Sequence, residues 1–258
     1  MRLGFCWRRW SQADWACRFV LAGFVWAVLA FGIALGQDEP RSAATGAIQA
    51  ATAGKVSYER ILGAAREPSN WLTYSGRYSG WRYSTLEQIN ADNVSRLRME
   101  WAFQVGDLGQ FETTPLVVDG ILYGTGQNNR AFALDARTGR AIWRYQRNLP
   151  GKLQPCCGMV NRGFAMLGDR LFMATLDAHV VALDAKTGNV VWDVEAADAK
   201  LAYTFTVAPL AVKNEIIVGV SGGEYGVRGF VDAYVMFQTL ETVADKALKG
   251  EFQTSCSA

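Results

Sequence analysis

Two stretches of this sequence are nearly the same. Residues 133–143 read ALDARTGRAIW and residues 182–192 read ALDAKTGNVVW, identical at seven of eleven positions and 49 residues apart. Asp135, Thr138, Gly139 and Trp143 are answered by Asp184, Thr187, Gly188 and Trp192. A period of that size marks a repeat architecture whose units bury their faces against their neighbours. Ahead of each copy stands a hairpin pattern. The first is Leu116-Val117-Val118, Asp119-Gly120, Ile121-Leu122-Tyr123, and the second is Met166-Leu167, Gly168-Asp169, Leu171-Phe172-Met173. Leu210 to Val220 makes a third, turning near Asn214. Each unit is therefore a hairpin, a further strand, a Thr-Gly turn and a strand ending in Trp. Four strands in ~40–50 residues is the period of a β-propeller blade.

The repeated residues are explained by structure alone. Gly139 and Gly188 accept the positive φ of a tight turn, Asp135 and Asp184 can bond local amides, and Trp143 and Trp192 offer a flat apolar surface to the next blade. The expected fold is all-β, a propeller of four-stranded blades with Trp-ending repeats. Three to four blade equivalents are present, and a ring needs at least four, so it stays unclosed. Counting on from Asp184, Asp232 takes the place of the turn aspartate, which would put Thr at 235, Gly at 236 and Trp at 240. The sequence has Val235, Met236 and Leu240, so residues 235–258 are read as a tail foreign to the repeat, left by truncation or a frameshift.

Ahead of the repeats, Val56, Tyr58, Ile61, Leu62 and Ala65 allow one short amphipathic helix from Val56 to Glu67, ended at Pro68. Ser84 and Glu87 have capping-box spacing for a second helical turn, with Leu86, Ile89, Val94 and Leu97 as its buried face, before a strand-like run from Met99 to Val105. Residues 37–55 are small and polar, a linker by composition.

The first 36 residues explain the charge. Arg2, Arg8, Arg9 and Arg18 precede an uncharged apolar stretch from Phe19 to Gly36, the pattern of an export signal. Cleavage before Gln37, after the small residues Ala34 and Gly36, is the favoured reading. A retained anchor is the competing one, and it is the one way this chain would meet a membrane. Without this segment 22 basic residues face 23 acidic ones, which argues against a nucleic-acid partner held by phosphate neutralisation. The rest of the chain is expected in the periplasm, where disulfides persist.

Of the five cysteines, the adjacent pair Cys156-Cys157 invites a chemical reading. Neighbouring Cα atoms lie about 3.8 Å apart, shorter than ordinary disulfides span, so a bond between them would be strained, and strain tends to sit at ligand clamps. Two reduced thiols filling a core are the alternative.

Taken together, the pair followed by Asn161-Arg162-Gly163, the Trp-ending Thr-Gly repeats, Gln110 to Pro115, and Ser221-Gly222-Gly223-Glu224 with Gly226 to Gly229 resemble the quinoprotein alcohol dehydrogenases of the methanol and ethanol type. The resemblance covers about residues 56–234, including Asn70 to Tyr74 and Ile89 to Val94. It implies an eight-bladed periplasmic propeller that binds pyrroloquinoline quinone (PQQ) and a calcium ion or a lanthanide. Its substrate would be a small primary alcohol, and a cytochrome c would take the electrons.

By the same resemblance Cys156 and Cys157 form a vicinal disulfide walling one face of the quinone. Glu112, Arg162, Thr206, Ser221, Gly222 and Gly223 bind the cofactor, and Glu224 is a metal ligand. The metal would polarise the quinone carbonyl as a Lewis acid. The general-base aspartate and the other metal ligands would come from later blades, so this polypeptide by itself is expected to be inactive. The competing reading is a non-catalytic propeller scaffold for protein interaction at the outer membrane. It needs neither the vicinal cysteines nor Glu112, Arg162 and Glu224. His179, the single histidine, is read as a blade surface residue.

Overall fold

Alternating apolar residues and turn residues build three antiparallel sheets in the computed structural model, which describes residues 55–235 except Asp107, Gln154 and Cys156. The leader, the linker as far as residue 54, the tail from 236 and Cys156 lie outside the described residues.

Blade 1 is the sheet β1 (Leu116–Val118), β2 (Ile121–Thr125), β3 (Arg130–Asp135) and β4 (Ala141–Gln146), paired in chain order. Blade 2 repeats it with β5 (Ala165–Leu167), β6 (Arg170–Ala174), β7 (His179–Asp184) and β8 (Val190–Glu195). Blade 3 has three strands, β9 (Leu210–Val212), β10 (Glu215–Gly219) and β11 (Val231–Val235). The β1–β2 turn holds Asp119 at φ 50° and Gly120 at φ 82°, the left-handed pair whose twist suits a two-residue hairpin.

The repeated motif does the same work twice. Asp135 accepts from the amides of Arg137 (3.0 Å) and Thr138 (2.9 Å), and Asp184 from those of Lys186 (3.1 Å) and Thr187 (2.8 Å). Trp143 faces Ala133 across the strands and Trp192 faces Ala182, and both blades shift register just after that alanine. Trp143 then reaches out of its own blade: its indole N–H donates to the Ala185 carbonyl (2.9 Å), and its ring lies where a side chain on Gly188 would have to go. Blade 2, flanked on both sides, is the best buried, with Leu171, Phe172, Met173, Val180, Val181, Ala182 and Leu183 fully covered.

Blade 3 corrects the sequence register. Its hairpin pairs Glu215 with Val212 and with Val235, as blade 2 pairs Arg170 with Leu167 and with Asp184. Val235, not Asp232, therefore stands at the turn-aspartate position, and Ala233-Tyr234 matches Ala182-Leu183. The offset arises because residues 220–230 form a long connection where blade 2 needs residues 175–178 alone. Val235 still pairs in the sheet, one residue further than the repeat was read to extend.

The segment before the blades also departs from expectation. The helix is α1 (Tyr58–Leu62), capped by Ser57 and ended by Gly63, with a separate 3₁₀ turn at Ala64–Arg66 in place of a continuous run to Glu67. It is anchored to both hairpins: Arg60 pairs with Glu67 (2.7 Å) and Asp119 (2.6 Å), and Val56 bridges Gly168. Trp71 then bridges Val117 on β1. Past Ser84 no helical turn forms. The Ser84 hydroxyl accepts from the Leu86 amide, and the 3₁₀ turn sits later, at Val94–Arg96. Leu86, Ile89, Val94 and Leu97, expected to be buried, are 45–59% exposed because no described surface packs against them. Residues 99–105 are not a strand among the described residues, for want of a neighbour to pair with.

Candidate functional site

Glu112, Arg162 and Thr206 each lie three or four residues ahead of the first strand of a blade: β1, β5 and β9. Three neighbouring positions on successive blades, Arg162 standing one residue later in its blade than the other two in theirs, thus fall together at one end of the sheets. Backbone pairing fixes them: the Thr114 amide donates to the Arg162 carbonyl (3.0 Å) and the Arg162 amide to the Thr206 carbonyl (3.2 Å).

The side chains then form one chain of contacts. Arg162 pairs with Glu112 (2.8 Å) and donates to the Thr206 hydroxyl (2.7 Å) and carbonyl (3.2 Å). The Thr206 and Ser221 hydroxyls share a hydrogen bond (3.1 Å), and the Ser221 amide donates to the Thr204 carbonyl (2.8 Å). Four residues singled out in the sequence are therefore joined, Glu112–Arg162–Thr206–Ser221. Their arginine is part-exposed, able to reach both protein and ligand.

The long blade 3 connection carries the others. Gly222 is buried at φ 116°, and a Cβ there would fall 2.6 Å from the Ala202 carbonyl oxygen, so no other residue fits. Gly223 and Glu224 begin a 3₁₀ turn and are exposed. Cys157 is exposed in a loop that reaches blade 1, where Gly158 abuts Gln110 and the Met159 carbonyl accepts from the Asn128 amide (3.0 Å). The vicinal pairing itself lies outside the described residues with Cys156. His179 is not a plain surface residue: it is half-buried and bonds Asp193 (2.7 Å) within an ion-pair group with Arg147 and Asp177.

Sequence reasoning missed three supports of the site. Asn161 is buried. Its side chain accepts from the Gly163 amide and donates to the carbonyl of Ala174 and to Asn129, which holds the turn that aims Arg162. Tyr74 joins from the leading segment: hydrogen bonding from Arg82, aided by Thr114 and the Arg162 charge, holds its phenol below the usual tyrosine value despite burial. Thr204 is fully buried, and its hydroxyl has no partner among the described residues. Asn161 stood in the quoted Asn-Arg-Gly string and Tyr74 in the leading one, but neither spacing nor composition gave either a task.

The donor set suits PQQ, a flat molecule with three carboxylates: one guanidinium, two hydroxyls, an orphaned buried hydroxyl and glycine backbone that permits close approach. It does not make a metal centre. Among the described residues no three His, Cys, Asp or Glu side chains gather, and Glu224 alone is far from the six to eight oxygens a calcium ion takes.

Comparison with known proteins agrees with this reading of the fold. Residues 71–234 match the family described as PQQ: Glucose/ethanol/alcohol dehydrogenase, beta-propeller domain. The chain is similar to the quinoprotein alcohol dehydrogenase PedH of Pseudomonas putida, 44% identical over 182 residues, 69% of this chain and 30% of that protein. Among solved structures it resembles the quinohemoprotein alcohol dehydrogenase ADHIIG of Pseudomonas putida HK5 (TM-score 0.68, 40% identity, 71% of this chain and 27% of that one). It also resembles a europium-containing methanol dehydrogenase (TM-score 0.66, 41% identity, 69% of this chain and 32% of that one). The chain spans about a third of the length of the relatives it matches. With the matched residues covering all three blades, the chain belongs to the β-propeller family of PQQ-dependent glucose, ethanol and alcohol dehydrogenases.

Proposed function

We propose that this chain is part of a periplasmic PQQ-dependent dehydrogenase that oxidises primary alcohols to aldehydes and passes the electrons to a cytochrome c. The observation that carries the proposal is the contact chain Glu112–Arg162–Thr206–Ser221, which spans three blades at one end of the propeller. When bound, PQQ supplies the hydride acceptor for the alcohol. Arg162 and the hydroxyls of Thr206 and Ser221 hold its carboxylates and ring edge, with Gly222 and Gly223 letting backbone come close. Glu112 fixes the guanidinium plane so that its remaining N–H groups stay directed at the ligand. Cys156 and Cys157 wall one face. The quinohemoprotein relative supports a haem-bearing electron acceptor.

Glu224 is proposed as one oxygen ligand of a calcium or lanthanide ion, the europium-containing relative being the support for the second. The rest of its shell and the group that takes the alcohol proton are placed outside the described residues. A site without its base loses orders of magnitude in rate, so the 258-residue chain is expected to be inactive alone. A non-catalytic scaffold has no use for the Glu112–Arg162–Thr206–Ser221 chain.

Titration of the purified chain with PQQ, followed by tryptophan fluorescence, tests the cofactor site. Saturable binding that is clearly weakened in Arg162→Ala is expected; binding unchanged by that substitution overturns the assignment. Dye-linked alcohol oxidation with PQQ and Ca²⁺ added tests inactivity, and turnover comparable to a complete enzyme would refute it.

A further inference from the structure

Thr125 breaks the repeat. It ends β2, and the matching last residues of β6 and β10 are Ala174 and Gly219, since Ile121, Arg170 and Glu215 pair alike with Asp135, Asp184 and Val235. Blades 2 and 3 thus form without a hydroxyl at this place. In blade 1 the hydroxyl is present and Thr125 is wholly buried. A buried hydroxyl is costly unless it is bonded, so its partners show what it serves.

Those partners adjoin both members of the Glu112–Arg162 ion pair. The Thr125 hydroxyl donates to the carbonyl of Asn161 (3.0 Å), the residue before Arg162. It also shares a bond with the hydroxyl of Thr113 (2.9 Å), the residue after Glu112. A hydroxyl has one hydrogen to give, and that of Thr125 goes to Asn161, so Thr113 is the donor in the shared bond. The Thr113 oxygen in turn accepts from the Thr125 amide (3.2 Å). The direction of the relay is therefore fixed, from the Thr125 amide through both hydroxyls to Asn161.

The two segments that carry the ion pair also come very close here. Gly163 has φ 134°, and a Cβ on it would fall 2.8 Å from the Thr114 carbonyl oxygen. The Asn161 side chain accepts from the Gly163 amide (3.1 Å) and donates to Asn129 (3.2 Å) and to the Ala174 carbonyl (2.8 Å), which ties the turn bearing Arg162 to both blades. Fixing the two backbones in advance lowers the ordering cost of binding.

We propose that Thr125 is a positioning residue of the cofactor site, its hydroxyl holding the backbones of Glu112 and Arg162 abreast so that their ion pair stands formed before a ligand arrives. Thr125 acts through that pair and, being wholly buried, touches no ligand itself. The inference rests on the reading of Glu112 and Arg162 as part of a PQQ site.

Thr125→Val keeps the shape and removes the hydroxyl, whereas Thr125→Ser keeps the hydroxyl and removes a methyl group. Thr113→Val breaks the same relay from its half-buried end and carries the test should Thr125→Val not fold, which circular dichroism checks. Two readouts are taken on the full 258-residue chain. Without ligand, the side-chain Nε–H resonance of Arg162, identified by its loss in Arg162→Ala, should shift in both valine variants and stay in place in Thr125→Ser. In titration with PQQ each valine variant should bind about fivefold more weakly, the worth of one neutral hydrogen bond, and Thr125→Ser within about twofold of the wild type. A resonance that moves in neither valine variant overturns the proposal, whatever the titration gives. So do valine variants that bind PQQ as the wild type does, and a loss of binding that Thr125→Ser does not recover. A wild type that takes up no PQQ while the resonance still follows the hydroxyl overturns the cofactor reading and upholds the positioning of the ion pair.

Discussion

The indole N–H of Trp143 donates to the carbonyl of Ala185 at 2.9 Å, pinning the last strand of blade 1 to the turn of blade 2. Trp143 is 8% exposed and stacks on Tyr123 at 6.2 Å. Trp143→Ala should cost about 3–5 kcal/mol in urea unfolding, through lost burial and the cavity left behind. Trp143→Phe keeps most of the ring and loses the hydrogen bond, for about 1–2 kcal/mol with the Ala185 carbonyl left unsatisfied. Equal losses for both would mean that the bond, not the ring, joins the blades.

Gly188 and Gly120 have similar backbone, φ 72° and 82°, in different surroundings. A Cβ on Gly120 meets open space, whereas one on Gly188 falls 2.6 Å from the Trp143 ring. Gly120→Ala should therefore cost about 1 kcal/mol of backbone strain alone. Gly188→Ala should cost clearly more, since the indole must move. Thermal melts of the two single variants make the comparison, and equal shifts in Tm would discount the Trp143 contact.

Arg147, just past β4 in blade 1, makes two bonds to Asp177 in blade 2 (2.7 and 2.9 Å) and one to Asp193 (2.7 Å). Burial pushes the Asp177 carboxyl up, but hydrogen bonds from Arg147 and Thr175 and the arginine charge outweigh it, and its pKa lies below the usual aspartate value. A carboxyl whose folded pKa is lowered adds stability that is full above its unfolded value, near 3.9, and is lost as pH falls through the folded value. The blade 1–blade 2 junction should thus weaken in acid below about pH 4. Asp177→Asn should flatten that part of the stability–pH profile, and Arg147→Ala should cost about 3 kcal/mol at neutral pH. A profile unchanged by Asp177→Asn would remove this pair as its source.

Arg162→Ala removes the one cation in the Glu112–Thr206–Ser221 chain. A charged hydrogen bond is worth about 1.5–3 kcal/mol, so PQQ should bind roughly 10–100-fold more weakly. Thr206→Val loses one neutral hydroxyl, worth about 1 kcal/mol, and should weaken binding about fivefold. Isothermal titration orders the two, and the reverse order would mean that Arg162 is spent on Glu112 rather than on the ligand.

Much of this molecule was readable in one dimension. The propeller, its first two blades and the task of Asp135, Asp184, Trp143 and Trp192 follow from spacing, because a turn and its flanking strands are local. Glu112, Arg162, Thr206 and Ser221 were named from strings and meet in the folded chain, and position in the repeat brings the first three to one end. Three things needed the folded chain. Asn161 and Tyr74 act through partners 13 to 88 residues away (Ala174 and Arg162), which no local pattern records. Val235 rather than Asp232 holds the turn position, because a lengthened connection shifts the register and cross-strand pairing alone reveals the shift. Residues 99–105 have the alternation of a strand but no partner, and a strand exists only where another backbone satisfies its hydrogen bonds. Local sequence decided the turns and the alternation of the strands; long-range pairing decided which strands have neighbours and which side chains meet.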